Sequence, residues 1–287
     1  MPELPEVETM VRGLRPVLEG RRVERMDLHD PSMLRGCEAR EFGRLGRGVD
    51  VIEVRRRGKW VVIGLADHRG LIVIQPRMTG GFWLVEPSRM EHVRLSIRLA
   101  SPGGIVWFCD ARRLGRIEWF ADQAAAEGAF ARSHGPDALA ITAEELAARL
   151  KTTRRGIKPA LMDQKVLAGI GNIYADEVLH ASGIHPQRVA SRLTREEYAR
   201  LHAAIGRVLA VAIEAEGSSF DAGYRTVLGL EGGFLAMNSA YGRAGEPCRT
   251  CGGPIQKTKI PGLIGRPTYL CPACQPRGRR RPARGII

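Results

Sequence analysis

The chain has 287 residues, with 44 Lys+Arg against 31 Asp+Glu, a formal charge of +13, and 44% hydrophobic residues. That length suggests two domains, and the apolar content is enough for real cores, which excludes a chain disordered throughout. No apolar run approaches the ~18–20 residues needed to cross a bilayer, and the acidic start MPELPEVETM is the opposite of a secretory signal, so a cytoplasmic or nucleoid location and an anionic partner are expected.

In chain order, Val7, Met10, Val11, Leu14, Val17 and Leu18 recur at helical spacing from Pro5, and Gly20 stands where the helix would stop. From 22 to about 121 the pattern changes to short β-rich runs: Arg22–Leu28, Val49–Arg56, Lys59–Leu65, Leu71–Gln75, Gly81–Val85, His92–Leu99, Ile105–Asp110 and Arg116–Phe120. Glycine and proline punctuate them, which predicts an antiparallel β-sandwich or barrel. The Ala-rich stretch 121–131 reads as a connection. A helical half starts at Thr142, where Glu145 completes a capping box, and Thr194 with Glu197 repeats that signature before a long helix to about Glu216. Between them, Leu167 to Glu177 predicts a helix, a tight glycine turn at Gly169 and Gly171, and a second helix that Asn172 is suited to cap. Residues 217–246 are glycine-rich, and RGRRRPARG at 277–285 reads as a solvated basic tail with weak attraction for phosphate. The resulting division is 1–121, linker 122–141, 142–246, 247–275 and tail 276–287.

Six cysteines divide unequally. Cys248, Cys251, Cys271 and Cys274 form two C-x2-C pairs, a spacing suited to one tetrahedral structural zinc, while isolated Cys37 and Cys109 read as small buried hydrophobes. If Met1 is removed, Pro2 carries a free secondary amine. With a pKa near 8 for an α-amino group, an appreciable fraction is neutral and nucleophilic at physiological pH. Condensation with a sugar aldehyde equivalent gives an iminium, an electron sink that permits elimination of phosphate, and Glu3 beside the amine is a candidate general acid/base. Taken alone, a proline and acids at a helix start are equally ordinary helix-terminus residues.

MPELPEVETMVRGL resembles the N-terminus of bacterial formamidopyrimidine-DNA glycosylases, the 8-oxoguanine DNA glycosylase/AP lyases. The resemblance continues through Arg56–Trp60, Arg77–Gly80, Asp110–Gly115, Ile157–Asp163, Val166–Glu177, Gly183–Pro186, Tyr241–Arg243 and the four-cysteine finger, and leaves out only the tail. It implies an α+β multidomain enzyme: an N-terminal helix with an antiparallel β-sandwich, a helix-two-turn-helix bundle and a zinc finger. It implies damaged double-stranded DNA as partner, a monomer, and no membrane. Under the family pattern Pro2 is the nucleophile at C1′, Glu3 the proton carrier, Glu6 a supporting acid and Lys59 a contact to the phosphate flanking the lesion. Met78, Arg112 and Leu114 match the residues that fill the void left by the extruded nucleotide, and His92, Asn172 and Arg266 match further DNA contacts. The chain departs from the pattern where Leu114 replaces a usual phenylalanine, Ala111 a usual proline, and Pro76-Arg77 a Leu-Gly pair. Residues 218–238 cover the family's lesion-recognition loop, with no base contact assigned. An endonuclease VIII-type enzyme for oxidised pyrimidines is the nearer alternative, disfavoured by Leu4, and a noncatalytic damaged-DNA-binding protein is the other, disfavoured by intact Pro2, Glu3 and Lys59.

Overall fold

A computed structural model describes residues 1–219 and 224–278, which divide into two compact units: 1–134 with 210–236, and 135–209 with the remainder of the chain from 237. The tip of the expected lesion loop, 220–223, and the basic tail from 279 lie outside the described residues.

The first unit begins with α1 (Leu4–Leu18), whose Val7, Met10, Val11, Leu14 and Leu18 are all fully buried. Then come β1 (Arg22–Leu28), β2 (Leu34–Arg35), α2 (Ala39–Leu45), β3 (Val49–Arg57), β4 (Trp60–Leu65), β5 (Leu71–Gln75), β6 (Gly80–Trp83), β7 (Val93–Leu99), β8 (Ile105–Asp110), β9 (Arg116–Phe120) and α3 (Gln123–Ser133). The strands form one curved sheet, in order β2-β9-β5-β4-β3-β1-β7-β8-β6. Every pairing is antiparallel except β2 with β9. Only Arg22↔Asp50 and Val23↔Val49 join β1 to β3, so the sheet folds there into two halves, and their inner residues share one core with α1. That is the expected sandwich, closed along one side by a short ladder.

The eight expected strands form within a residue or two of their predicted bounds, and the exceptions have local causes. Strand β6 stops at Trp83 because the Leu84 N–H leaves the ladder for Val227 O (2.8 Å), and His92 falls in a one-turn 3-10 helix (Met90–His92) before β7. The Ala-rich stretch expected as a connection forms helix α3, capped by Asp122, whose side chain accepts the Ala125 N–H at 2.8 Å. Its Ala126 and Phe130 cover Trp60, Val62, Leu71 and Val73 on the outer face of β4 and β5. Strands β4 and β5 are therefore buried on both faces, which is why they are continuous apolar runs rather than alternating ones.

The second unit holds α4 (Ala143–Lys151), α5 (Ile157–Met162), α6 (Asn172–Ser182), the N-terminal part of α7 (Arg195–Glu214), and the hairpin β10 (Gln256–Thr258) with β11 (Thr268–Leu270). The Thr142 hydroxyl caps α4 through the Glu145 N–H (3.1 Å), and Thr194 and Glu197 exchange both bonds of a capping box (2.7 and 3.2 Å). No helix runs directly into Gly169, contrary to expectation: α5 ends at Met162, and 163–171 are irregular, with turns, bends and a bridge at Ala168. Gly169 takes φ +115°, outside the helical region, and the Gln164 amide stitches the turns, donating to Met162 O and Ile170 O and accepting from the Gly169 N–H. Among the described residues no helix is long and apolar enough to cross a membrane.

Candidate active site and nucleic-acid interface

Register decides which loops meet in the first unit. Arg57↔Trp60 closes the β3–β4 turn, Val61↔Ile74 and Gln75↔Arg116 carry that end across β5 to β9, and Gly80↔Asp110 and Val93↔Cys109 mark one end of β6, β8 and β7. Loop 76–79 joins β5 to β6 and loop 111–115 joins β8 to β9, so both sheet halves present that end together. Lys59, Met78, Arg112, Leu114 and His92 therefore occupy the same end of the sheet. Helix α1 runs antiparallel to β3: Gly20 N–H donates to Val51 O (2.8 Å), Arg15 Nε to Val54 O (3.2 Å) and Arg56 Nε to Glu8 Oε2 (2.8 Å). Its N-terminus, with Pro2, points toward the Lys59 turn. Arg56 also donates to Gly58 O (3.1 Å), so one side chain fastens the Lys59 turn to the start of α1.

Glu3 and Glu6 are 2% and 1% exposed, and Lys59 is 7% exposed. Both acids belong to a capping box at the head of α1. The Glu6 carboxylate bridges two backbones, Oε2 accepting the Glu3 N–H (2.7 Å) and Oε1 the Ser218 N–H (2.8 Å). A Cβ on Gly217 (φ +81°) would come within 2.8 Å of Glu6 Oε1, so this approach requires glycine. The base of the expected lesion loop is thus bonded to the helix that carries Pro2. Ser219 Oγ closes that base by donating to Tyr224 O and accepting from Gly232 N–H, both at 2.8 Å. Burial, with the Glu6 charge, pushes the Tyr224 phenol far above its ordinary pKa, and it remains a donor, to Glu216 O at 3.1 Å.

Met78 and Leu114, 41% and 39% exposed, are large apolar side chains left in solvent, and Arg112 is exposed between them in sequence. Asp110, fully buried, joins their loops. Its Oδ1 accepts from the Thr79 hydroxyl and the Arg112 N–H (3.2 Å), and its Oδ2 from the Gly115 N–H (2.6 Å). Arg77 and Arg113 both have φ +54°, a left-handed conformation that costs non-glycine residues about 1–3 kcal/mol and recurs at functional loops. His92 makes no hydrogen bond with these loops among the described residues and lies 4.0 Å from Glu91.

Behind Lys59, the Trp60 indole N–H donates to His134 Nε2 (3.3 Å), and Ser133 Oγ lies 2.8 Å from His134 Nδ1 while donating to Ala129 O. Those partners make Nδ1 the protonated nitrogen. Burial, aided by Arg57 and Lys59, lowers the His134 pKa, so the ring stays neutral.

In the second unit Asn172 does not cap its helix: Gly171 is the N-cap, and the Asn172 amide donates to Pro267 O (3.2 Å). Lys158 Nζ, wholly buried, donates to the same carbonyl (3.1 Å) and to Thr268 Oγ1 (3.0 Å), and pairs with buried Asp176 at 2.8 Å. Exposed Arg266 precedes Pro267 in the chain, and Pro267 O is held by both the Asn172 amide and the buried Lys158 cation. Asp110, Thr79 and Lys158 are organising residues that sequence reasoning passes over. The available signals are an acid closing an apolar strand and a lone lysine in Ile157-Lys-Pro-Ala-Leu-Met.

The four finger sulfurs all lie within 4.8 Å of one another, with Cys248–Cys274 at 3.8 Å and Cys251–Cys271 at 3.4 Å. A tetrahedron with Zn–S near 2.3 Å has S–S edges of about 3.8 Å, so the donor set fits one structural zinc, held by four thiolates. Cys109 is 8% exposed and Cys37 packs against the core, as small hydrophobes; burial pushes the Cys109 thiol up to about 11.

Three family models match the chain: formamidopyrimidine-DNA glycosylase N-terminal domain over 1–117, formamidopyrimidine-DNA glycosylase H2TH domain over 134–222, and the zinc finger found in FPG and IleRS over 245–277. Curated formamidopyrimidine-DNA glycosylases from Desulfitobacterium hafniense and Thermus thermophilus are 38% and 39% identical, over 96% and 97% of this chain and 100% of theirs. The crystal structure of the MutM (Fpg) protein of Thermus thermophilus superposes with TM-score 0.84 at 37% identity, and Lactococcus lactis Fpg, in complex with an abasic site containing DNA, with TM-score 0.85 at 30%. Both comparisons cover 96% of this chain and 100% of the other. Helix, folded sheet, H2TH unit and four-cysteine finger together define the class of zinc-finger DNA glycosylases. Within that class, the chain belongs to the formamidopyrimidine-DNA glycosylase family.

Proposed function

We propose that this protein excises oxidised purines, 8-oxoguanine and formamidopyrimidines, from duplex DNA and then cleaves the strand, as a bifunctional glycosylase/AP lyase of base excision repair. The observation that carries this reading is the convergence, at one end of the first unit, of the α1 N-terminus and its buried acids with Lys59 and the loops bearing Met78, Arg112 and Leu114. Pro2, freed of Met1, attacks C1′ of an extruded nucleotide and the base departs. Glu3, beside the amine, carries protons to and from the opening sugar. The resulting iminium accepts electrons as successive β- and δ-elimination expel the two phosphates. Glu6 holds the helix start against Ser218, and Lys59 meets the flanking phosphate. Met78 and Leu114 fill the vacated stack, Arg112 bonds the estranged base, and His92, Asn172 and Arg266 hold backbone phosphates.

Damaged double-stranded DNA is the proposed partner, supported by solved Lactococcus lactis Fpg complexes with abasic-site and Fapy-dG containing DNA, with the protein acting as a cytoplasmic, nucleoid-associated monomer. The proposed domain division is 1–121, 142–246 and 247–275, with 122–141 as linker.

A duplex with a single 8-oxoguanine opposite cytosine tests the reading. Expected are a one-nucleotide gap with phosphate on both sides and a borohydride-trapped adduct that peptide mass assigns to Pro2. An adduct on Lys59, or undiminished trapping by protein that retains Met1, overturns the proline mechanism. Excision of thymine glycol but not 8-oxoguanine would transfer the protein to the endonuclease VIII type.

A further inference from the structure

The last turn of α6 presents a side chain that neither the zinc donors nor the DNA-facing residues account for. His180 is 7% exposed, and its Nε2 lies 3.3 Å from Cys248 Sγ. A zinc-bound thiolate carries no proton and can only accept, so with metal present the imidazole nitrogen must be the donor. The neighbours of His180 on α6 hold the finger by its backbone. Asp176 Oδ2 accepts the Tyr269 N–H (3.0 Å), and Glu177 accepts the N–H groups of Ser239, Ala240 and Tyr241 (2.8, 2.9 and 2.7 Å). Just past the helix, Ile184 O accepts from Gln275 Nε2 (2.9 Å), whose Oε1 accepts the Cys271 N–H (3.0 Å). Among these anchors His180 is the one that reaches a sulfur. Cys248 also accepts the Thr250 N–H at 3.4 Å, so its sulfur has donors from two directions.

We propose that His180 is a positioning residue of the zinc centre, its Nε2–H donating to the Cys248 thiolate so as to fix that ligand to α6 and draw electron density from the sulfur. Outer partners of this kind orient ligands and tune the metal without binding it. A thiolate relieved of a hydrogen bond is more basic and a better nucleophile, and its charge-transfer band to a metal moves to lower energy. The phosphate-facing hairpin 256–270 leaves this same centre, so His180 also ties the hairpin's base to the helix that begins with Asn172.

The full-length protein is loaded with cobalt(II) in place of zinc, and His180→Phe is compared with His180→Gln, which keeps an N–H donor. His180→Phe should retain the tetrahedral ligand-field bands, show a red-shifted sulfur-to-cobalt band, and release metal to iodoacetamide roughly 10-fold faster. His180→Gln should restore much of both properties, whereas a packing role alone would favour the bulkier apolar Phe. Identical spectra and release rates for wild type and His180→Phe overturn the proposal. If both variants misfold, long-range proton–nitrogen NMR of the zinc-loaded wild type decides: a proton on Nε2 is expected, and a bare Nε2 sinks the idea.

Discussion

Lys158 offers the sharpest test of how the second unit holds Asn172 and Arg266, its proposed DNA contacts. Its ammonium donates to Pro267 O (3.1 Å) and Thr268 Oγ1 (3.0 Å) and forms an ion pair with Asp176 at 2.8 Å, in a site where the Lys158 and Asp176 side chains are both 0% exposed. Lys158→Met preserves length and apolar packing but strips the buried Asp176 carboxylate of its cation, leaving it the Tyr269 N–H, and frees one side of Pro267 O. Removing one member of a buried pair costs about 3–5 kcal/mol; burial already pushes the Asp176 carboxyl up to about 7, so without Lys158 it must take up a proton or stay charged where water cannot reach. Replacing both members is expected to cost far less, since nothing charged is left behind: Lys158→Met with Asp176→Asn should recover most of the loss. In a two-unit protein global unfolding need not be two-state, so the local readout is hydrogen exchange at Tyr269 N–H and its neighbours in β11. Exchange there should accelerate by two to three orders of magnitude in Lys158→Met, about what ~3–4 kcal/mol implies. Duplex affinity should fall as Pro267 O, the carbonyl that Lys158 shares with Asn172 next to Arg266, loosens. Unchanged exchange in Lys158→Met, or a double variant as unstable as the single one, would refute the argument that the ion pair is held by mutual compensation.

Asp110→Ala should cost about 2–4 kcal/mol, the loss of three hydrogen bonds to a buried carboxylate, and should raise lesion KM more than it changes chemistry; lesion binding and urea denaturation check both. Arg112→Ala should reduce discrimination of the opposite base by roughly 1–3 kcal/mol, while Leu114→Phe should be tolerated; competition between duplexes with cytosine and with adenine opposite the lesion reads this. For His134 the folded pKa is lowered, so above about 6.5 neither folded nor unfolded ring is charged, and below it the unfolded chain takes up the proton first. Stability is therefore lost as pH falls from about 6.5, and His134→Gln should flatten that dependence between pH 7.5 and 5.5 in denaturant titrations. An equal slope in the variant would mean that other groups set it.

Local chemistry wrote the parts of this protein that the sequence determines. The period of Val7 to Leu18 fixes α1, apolar runs between turn residues fix eight strands, Thr142 and Thr194 start helices, and the C-x2-C pairs set the zinc donors, because each signal lies within one element. Helix α2 is illegible since it commits only Phe42 to the core, and α3 since its Ala-rich face acquires meaning only against β4 and β5. Asn172 reads as a cap and is not one for a related reason: a neighbouring glycine can take the N-cap, and a carbonyl 95 residues away claims the amide. Sequence resemblance can name Pro2, Lys59, Met78 and Arg112, but not why they share an end of the sheet. Strand register decides that, together with Asp110, Arg56 and Glu6, which bond across loops distant in sequence. Such partners leave no periodic trace, because a hydrogen bond or buried ion pair depends on where two chain segments arrive in space and not on their spacing along the chain.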